Sequence, residues 1–237
     1  MQHDASQGDQ TTASGHPAVA GREGALGALA DEVRRLVALT VTNTAGQQEL
    51  GEITALLRAA STRLEASVPD VPIARFAMPA DRPAAPDVDF EAEPAMGASM
   101  PYDFVIGRFN PLALPVAISF EPPLAVGTGI FTTPYEGAPG CVHGAALAAT
   151  FDIILTAANH LAGAAGPTVR LTLTFRRPTL IDVPCRFESE VTEVSERRVS
   201  NRGRLLQGGV VTVEAEGRFA ILDTERIRSL AKRRLER

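Results

Sequence analysis

At 237 residues, with 45% hydrophobic side chains and a net charge of -5, the chain is long enough for one large domain or a medium domain with an appendage. No basic block of the kind that tracks a nucleic acid occurs, and the basic residues between Arg226 and Arg237 read as a solvated helix face. Two cysteines, no basic-then-apolar leader and no apolar run near the roughly 20 residues of a membrane helix exclude a disulfide scaffold and a spanning segment, so a soluble, cytoplasmic protein is expected.

Residues 1–22 are small and polar and are expected to form a flexible tail, with His3 and His16 too isolated for a metal site; no metal and no cofactor is expected. Residues 23–67 follow as two amphipathic helices. Leu26, Leu29, Val33 and Leu36 form one stripe and Leu50, Ile53, Leu57, Ala60 and Leu64 a second, both at spacings of three and four. The turn chemistry of Thr42 to Gly46 separates them, which suggests an antiparallel helical hairpin. Residues 68–101 hold seven prolines and no period, the pattern of a linker extended over the surface.

The main domain is expected over 102–222. Val116 to Phe120 and Gly129 to Thr133 read as short strands, and Val142 to Ala162 as one long apolar helix. Three alternating strands follow: Val169, Leu171, Leu173 and Phe175 alternate with Arg170, Thr172, Thr174 and Arg176; Phe187, Ser189 and Val191 with Glu188, Glu190 and Thr192; and Val211, Val213, Ala215, Gly217 and Phe219 with Thr212, Glu214, Glu216 and Arg218. Val199 to Leu206 adds a fourth, turned by Gly208-Gly209. Residues 223–237 read as a closing helix. Period-two patterning predicts an antiparallel sheet with one wet face, and a helix apolar almost all round needs cover on every side. The fold class is α+β, with one curved sheet of about six strands wrapped around a central helix.

Chemistry concentrates at that helix. Asp152 is a lone carboxylate among Ala, Leu, Ile and Phe, and residues seven apart on a helix return to nearly the same angle, so it lies below Ala145 and near Gly144. Gly140 and Gly144 let a ligand approach the backbone, and the unpaired N–H groups of a helix start suit a developing oxyanion. A carboxylate further down can act as base toward water or as nucleophile. Each residue also has a plainer reading: Asp152 as an acid paired to an arginine, His143 as a brace for the helix start, Thr168 as an ordinary first strand residue, Cys141 as a small buried thiol.

At these residues the sequence resembles the hotdog-fold thioesterases, in particular the PaaI-like branch that includes the mammalian mitochondrial long-chain acyl-CoA thioesterases. That pattern runs Tyr-x-Gly-x-Pro-Gly, then His-Gly-Gly, an acid nine residues after the His and a Thr sixteen after the acid. Tyr135, Gly137, Pro139, Gly140, His143, Gly144, Asp152 and Thr168 fall on it, as do Gly107, Asn110, Pro111, Arg177 and Pro178. The resemblance covers about Phe104 to Leu222. It implies a hotdog domain, dimerised through its sheet as a homodimer or dimer of dimers, that hydrolyses acyl-CoA at the dimer interface. It further implies that the Gly144 N–H polarises the thioester carbonyl, that Asp152 of the other subunit is base or nucleophile, that Thr168 positions water or the acid, and that His143 holds the helix start. Tyr135, Gly140, Ala145, Asn110, Arg176 and Arg177 are the expected substrate-binding residues, with Arg197, Arg198 and Arg202 further candidates for the CoA phosphates.

Three positions depart from the pattern. Ala145 replaces the second Gly of His-Gly-Gly; Gly137 stands where some relatives carry Asn or Gln, which leaves a second oxyanion donor unidentified; and Ala113 replaces the Gly of Asn-Pro-x-Gly. The alternative is a non-catalytic acyl-CoA-binding or interaction protein that uses the same cleft, with the N-terminal helices as docking module. A hotdog hydratase fits less well, since no Asp-x₄-His occurs around the central helix.

Overall fold

The computed structural model describes residues 19–70, 96, 100–164 and 166–221. Most of the expected tail, most of the linker and the closing helix over 223–237 lie outside the described residues. Within the expected tail, Val19 is fully buried and begins a turn that leads into α1 (Glu23–Thr42).

Both N-terminal helices form. α2 (Gln47–Glu65) follows the break at Asn43, whose side chain closes the end of α1 by donating to the Leu39 and Thr40 carbonyls. The two helices do not lie along one another within the chain, and α2 has no buried residue. α1 docks by Gly27 and Ala30 instead of by the whole leucine stripe, because the small side chains admit Arg108 and Phe109 at close range; Leu29 stays exposed. Arg34 secures the contact: its Nη2 donates to the carbonyls of Arg108 at 2.7 Å and Asn110 at 2.9 Å. Asp31 receives Arg108 in a two-point ion pair at 2.7 and 3.0 Å.

Six antiparallel strands form one sheet in the order β1-β2-β4-β5-β6-β3. They are β1 (Val116–Glu121), β2 (Leu124–Ile130), β3 (Thr168–Phe175), β4 (Pro184–Val194), β5 (Arg198–Gln207) and β6 (Val210–Ala220). β2 corrects the expected strand at Gly129 to Thr133. It starts directly after Pro122-Pro123, and a 3-10 turn at Thr133–Tyr135 ends the extended run. Its alternation was masked by Gly127 and Gly129, which sit where Ile154 and the Pro115 carbonyl leave no room for a Cβ.

The long helix α3 (Gly144–Leu161) lies in the concave face of the sheet and contacts all six strands. Leu147, Phe151, Ile154 and Leu155 bury essentially completely against Phe187, Leu205, Val213 and Phe219. By length and composition α3 would also qualify as a membrane span; here it is the core helix of the domain. Cover was expected on every side, yet Ala145, Ala148, Ala149, Asp152 and Thr156 form a partly open stripe at spacings of three and four. Asn201 of β5 anchors the far end of α3, donating to the Leu155 carbonyl and to Asn159 Oδ1.

The outer face of the sheet carries the alternating charges in rows. Glu214, Arg204 and Glu188 are neighbours across β6, β5 and β4, as are Glu216, Arg202 and Glu190 one step along. Glu188 is a correction to the wet-face reading. It is 8% exposed, covered by the stems of Arg186 and Arg204, each of which donates to it through Nε at 2.7 Å.

Candidate active site

The turn before α3 is built to present a helix N-terminus. Gly140 takes a φ of +74°, a conformation that disfavours a side chain, and its N–H donates to the Glu136 carboxylate. His143 is the N-cap: its backbone N–H donates to the Tyr135 carbonyl at 2.7 Å, and its Nδ1 accepts the Ala145 N–H at 3.0 Å. A neutral imidazole accepting at Nδ1 carries its proton on Nε2. Gly137 makes room for this ring, since a Cβ there would stand 2.9 Å from the His143 Cα. The same crowding explains why an Asn or Gln at this position would not fit the present turn.

The capping bond consumes the Ala145 N–H. The Gly144 N–H has no hydrogen-bond partner among the described residues, which leaves it as the donor at the helix start. Above Gly144 lies Phe175, whose ring would meet an added Cβ at 3.2 Å. Gly144, His143, Phe175, Arg176, Arg177 and Thr179 contribute to an open groove of about 770 Å³.

Asp152 and Thr168 make a second cluster. Thr168 Oγ1 donates to Asp152 Oδ1 at 2.6 Å. The strand pattern alone would turn Thr168 the other way, because Arg170, Thr172 and Thr174 all lie on the outer face. A register shift between Thr168 and Arg170 inserts Val169 as an extra residue, so that Thr168 pairs with the inward-facing Phe219. The bulge reverses the parity of the strand at its first residue and aims the hydroxyl at α3. Its counterpart is Val169, which the alternation had placed inward and which is 62% exposed.

The structure therefore gathers the expected residues into two groups. His143, Gly144, Arg176 and Arg177 line the groove; Asp152 and Thr168 do not. Asp152 is eight positions beyond Gly144 on one helix, about 12 Å at 1.5 Å per residue. Ala145 and Gly140 shape the helix start without lining the groove. Tyr135 and Asn110 do not line the groove: Tyr135 stacks edge-on against Phe131 at 5.5 Å, while Asn110 donates to the Tyr102 carbonyl and accepts the Leu112 N–H. Burial raises the Tyr135 phenol above its ordinary pKa. Cys141 and Cys185 are free thiols, and no hydrogen bond joins Cys141 to His143 among the described residues. No group of three potential metal ligands occurs among the described residues.

Two contributors were not foreseen. Phe175 was counted as an ordinary inward strand residue and instead walls the groove, at the point where β3 runs out beside Gly144. Glu136 holds the turn through Gly140; a carboxylate four residues before a glycine is no signal by itself.

One apolar helix held in a curved antiparallel sheet, with an open N–H at its start and an acid–threonine pair two turns on, defines a hotdog domain. Residues 139–216 match the model of the thioesterase superfamily. Among solved structures, a thioesterase superfamily protein aligns with a TM-score of 0.69 and 28% identity, over 82% of this chain and 94% of its own. The zebra fish thioesterase superfamily member 2 aligns at 18% identity over 46% of this chain and 82% of its own, with a TM-score of 0.43. A variant of the phenylacetic acid degradation protein PaaI from Thermus thermophilus aligns at 18% identity over 45% of this chain and 93% of its own, also with a TM-score of 0.43. No curated protein sequence matches. Residues 139–216 thus carry a thioesterase-superfamily domain of hotdog fold, with a motif pattern that resembles the PaaI-like kind.

Proposed function

We propose that the protein is a cytoplasmic acyl-CoA thioesterase whose active site is completed by a second copy of the chain. The observation that carries this reading is the separation within one helix. A thioester carbonyl must lie about 3 Å from both its oxyanion donor and the attacking oxygen. Gly144 and Asp152 of one chain stand about 12 Å apart on a rigid helix and cannot meet that requirement together. A second copy added at the open β3 edge can bring its Gly144 to this Asp152, because β3 pairs only with β6 and its outer side is unoccupied among the described residues.

In the composite site, the Gly144 N–H and the positive end of α3 polarise the thioester carbonyl. Asp152 of the other subunit, held by Thr168, removes a proton from water as it attacks, or attacks the carbonyl carbon itself to form a mixed anhydride that water then hydrolyses. The thiolate of CoA leaves and the acid is released. Arg176 is already paired with Glu214 at 2.7 Å, whereas Arg177 has no ion-pair partner among the described residues and sits in the groove wall. Arg177 is the cation for a CoA phosphate.

The test is turnover of a panel of aliphatic and aryl CoA thioesters by wild type and Asp152→Ala. Loss of a general base typically costs about 10²–10⁴-fold in kcat. Turnover at an unchanged rate in Asp152→Ala overturns the mechanism, and tight binding of acyl-CoA without turnover by wild type identifies the non-catalytic binder.

A further inference from the structure

Helix α2 stands without cover. Leu50, Ile53, Leu57 and Leu64 are each between 38% and 53% exposed, and Leu56 is 73% exposed. Helices in proteins draw most of their stability from packing an apolar face, and α2 packs none. α1 cannot provide that cover, since it does not lie along α2 and its own docked residues face the domain.

The stripe has the geometry of a helix–helix seam. Leu50, Ile53, Leu57, Ala60 and Leu64 alternate spacings of three and four, the average of 3.5 that keeps one face toward a partner helix. Glu49, Leu56 and Arg63 each flank that seam on the same side, one residue before Leu50, Leu57 and Leu64. Charge is divided along the helix, with Glu49 and Glu52 in the first half and Arg58 and Arg63 in the second, which stays net positive although Glu65 closes it. Neither Glu49 nor Arg63 has an ion-pair partner among the described residues. An antiparallel copy sets the acidic half of each helix against the basic half of the other. It also places position 49 against 63, and 56 against 56.

We propose that α2 pairs antiparallel with α2 of a second copy of this chain, burying Leu50, Ile53, Leu57 and Ala60 in the seam. Glu49 then faces Arg63 of the partner subunit on both sides of a two-fold axis, and Leu56 meets its own copy. No residue of α2 lines the groove at the start of α3.

The full-length Ile53→Cys/Leu57→Cys variant tests the pairing, because an antiparallel seam sets each of these positions opposite the other. Mild oxidation is expected to give a disulfide-linked dimer on a non-reducing gel, against a wild-type background set by Cys141 and Cys185. In that double-cysteine chain, Glu49→Arg alone or Arg63→Glu alone is expected to slow cross-linking roughly ten-fold, since two attractive pairs become repulsive. Combining both reversals is expected to restore it. So is mixing the two single-reversal chains, because the mixed pair again matches acid to base. All these positions are exposed, and circular dichroism checks that each variant keeps its helices. Absence of cross-linking overturns the proposal, as does cross-linking that ignores the charge reversals. Sedimentation keeps this outcome distinct from the shared-site reading: a dimer in solution whose α2 helices do not cross-link removes the α2 pairing and leaves the β3-edge dimer standing.

Discussion

Thr168 fixes one oxygen of Asp152 at 2.6 Å and leaves the rest of the carboxylate open on the partly exposed stripe of α3. Hydrogen bonds to charged groups contribute about 1.5–3 kcal/mol, so Thr168→Val is expected to lower kcat about 10–100-fold with little change in KM, whereas Thr168→Ser retains most of the rate. Arg177→Ala is expected to raise KM for CoA esters several-fold and leave kcat near wild type; an equal effect on a substrate truncated to its pantetheine arm would remove Arg177 from phosphate binding. His143→Ala removes a cap whose loss typically costs about 1 kcal/mol, readable as a lowered Tm, and frees the Ala145 N–H it now occupies. Much of this was legible as spacing: His143, Gly144, Asp152 and Thr168 sit at fixed intervals around one helix. What spacing could not show was which N–H remained open, since that depends on the rotamer of His143. Nor could it show that Tyr135 and Asn110 do not line the groove.

Elements carry a different kind of information. Strand alternation predicted the faces of β4 and of β6 beyond Thr212, yet missed the shift that buries Thr212 and gave the wrong direction for Thr168, because a one-residue bulge is invisible to a period-two pattern. Deleting Val169 is expected to restore a regular ladder in which Thr168, still opposite Phe219, keeps facing α3. The measurable outcome is a rate nearer wild type than that of Thr168→Val in a folded protein. Alternation also placed Glu188 in water, where two arginine stems cover it instead. Arg186 first, and Arg204 after it, hold the Glu188 carboxyl below the usual glutamate range, against the opposing effect of burial. The folded chain therefore binds fewer protons at Glu188 than the unfolded chain does. Its stabilisation is complete above the ordinary glutamate pKa of about 4.3 and is lost as pH falls below that value toward the folded pKa. Thermal unfolding followed between pH 7 and pH 3 is expected to show a decline that is shallower in Glu188→Gln, which starts from a lower Tm at pH 7.

For the whole molecule, the order of two strands, one helix and four strands was readable because helix and strand periods differ so plainly. The position of the N-terminal helices was not. The amphipathic stripe of α1 suggested a leucine contact, whereas docking runs through Gly27, Ala30 and the three charged residues Asp31, Arg34 and Arg108. Small residues admit a close approach, and periodicity weighs them no more than any other apolar position. Arg34→Ala is expected to loosen α1 from the domain, seen as faster amide exchange in residues 102–114 with the exchange of α3 unchanged.

In the proposed shared site, the roughly 12 Å between Gly144 and Asp152 makes each chain a donor of two unlike halves. A chain carrying Asp152→Ala and a chain carrying Gly144→Val should each be inactive alone. Dissociated and reassembled together, a mixed dimer holds one site with both defects and one with neither, so activity returns to about a quarter of wild type when the chains pair at random. Two lesions eight residues apart on one helix would thus complement each other like mutations in separate genes.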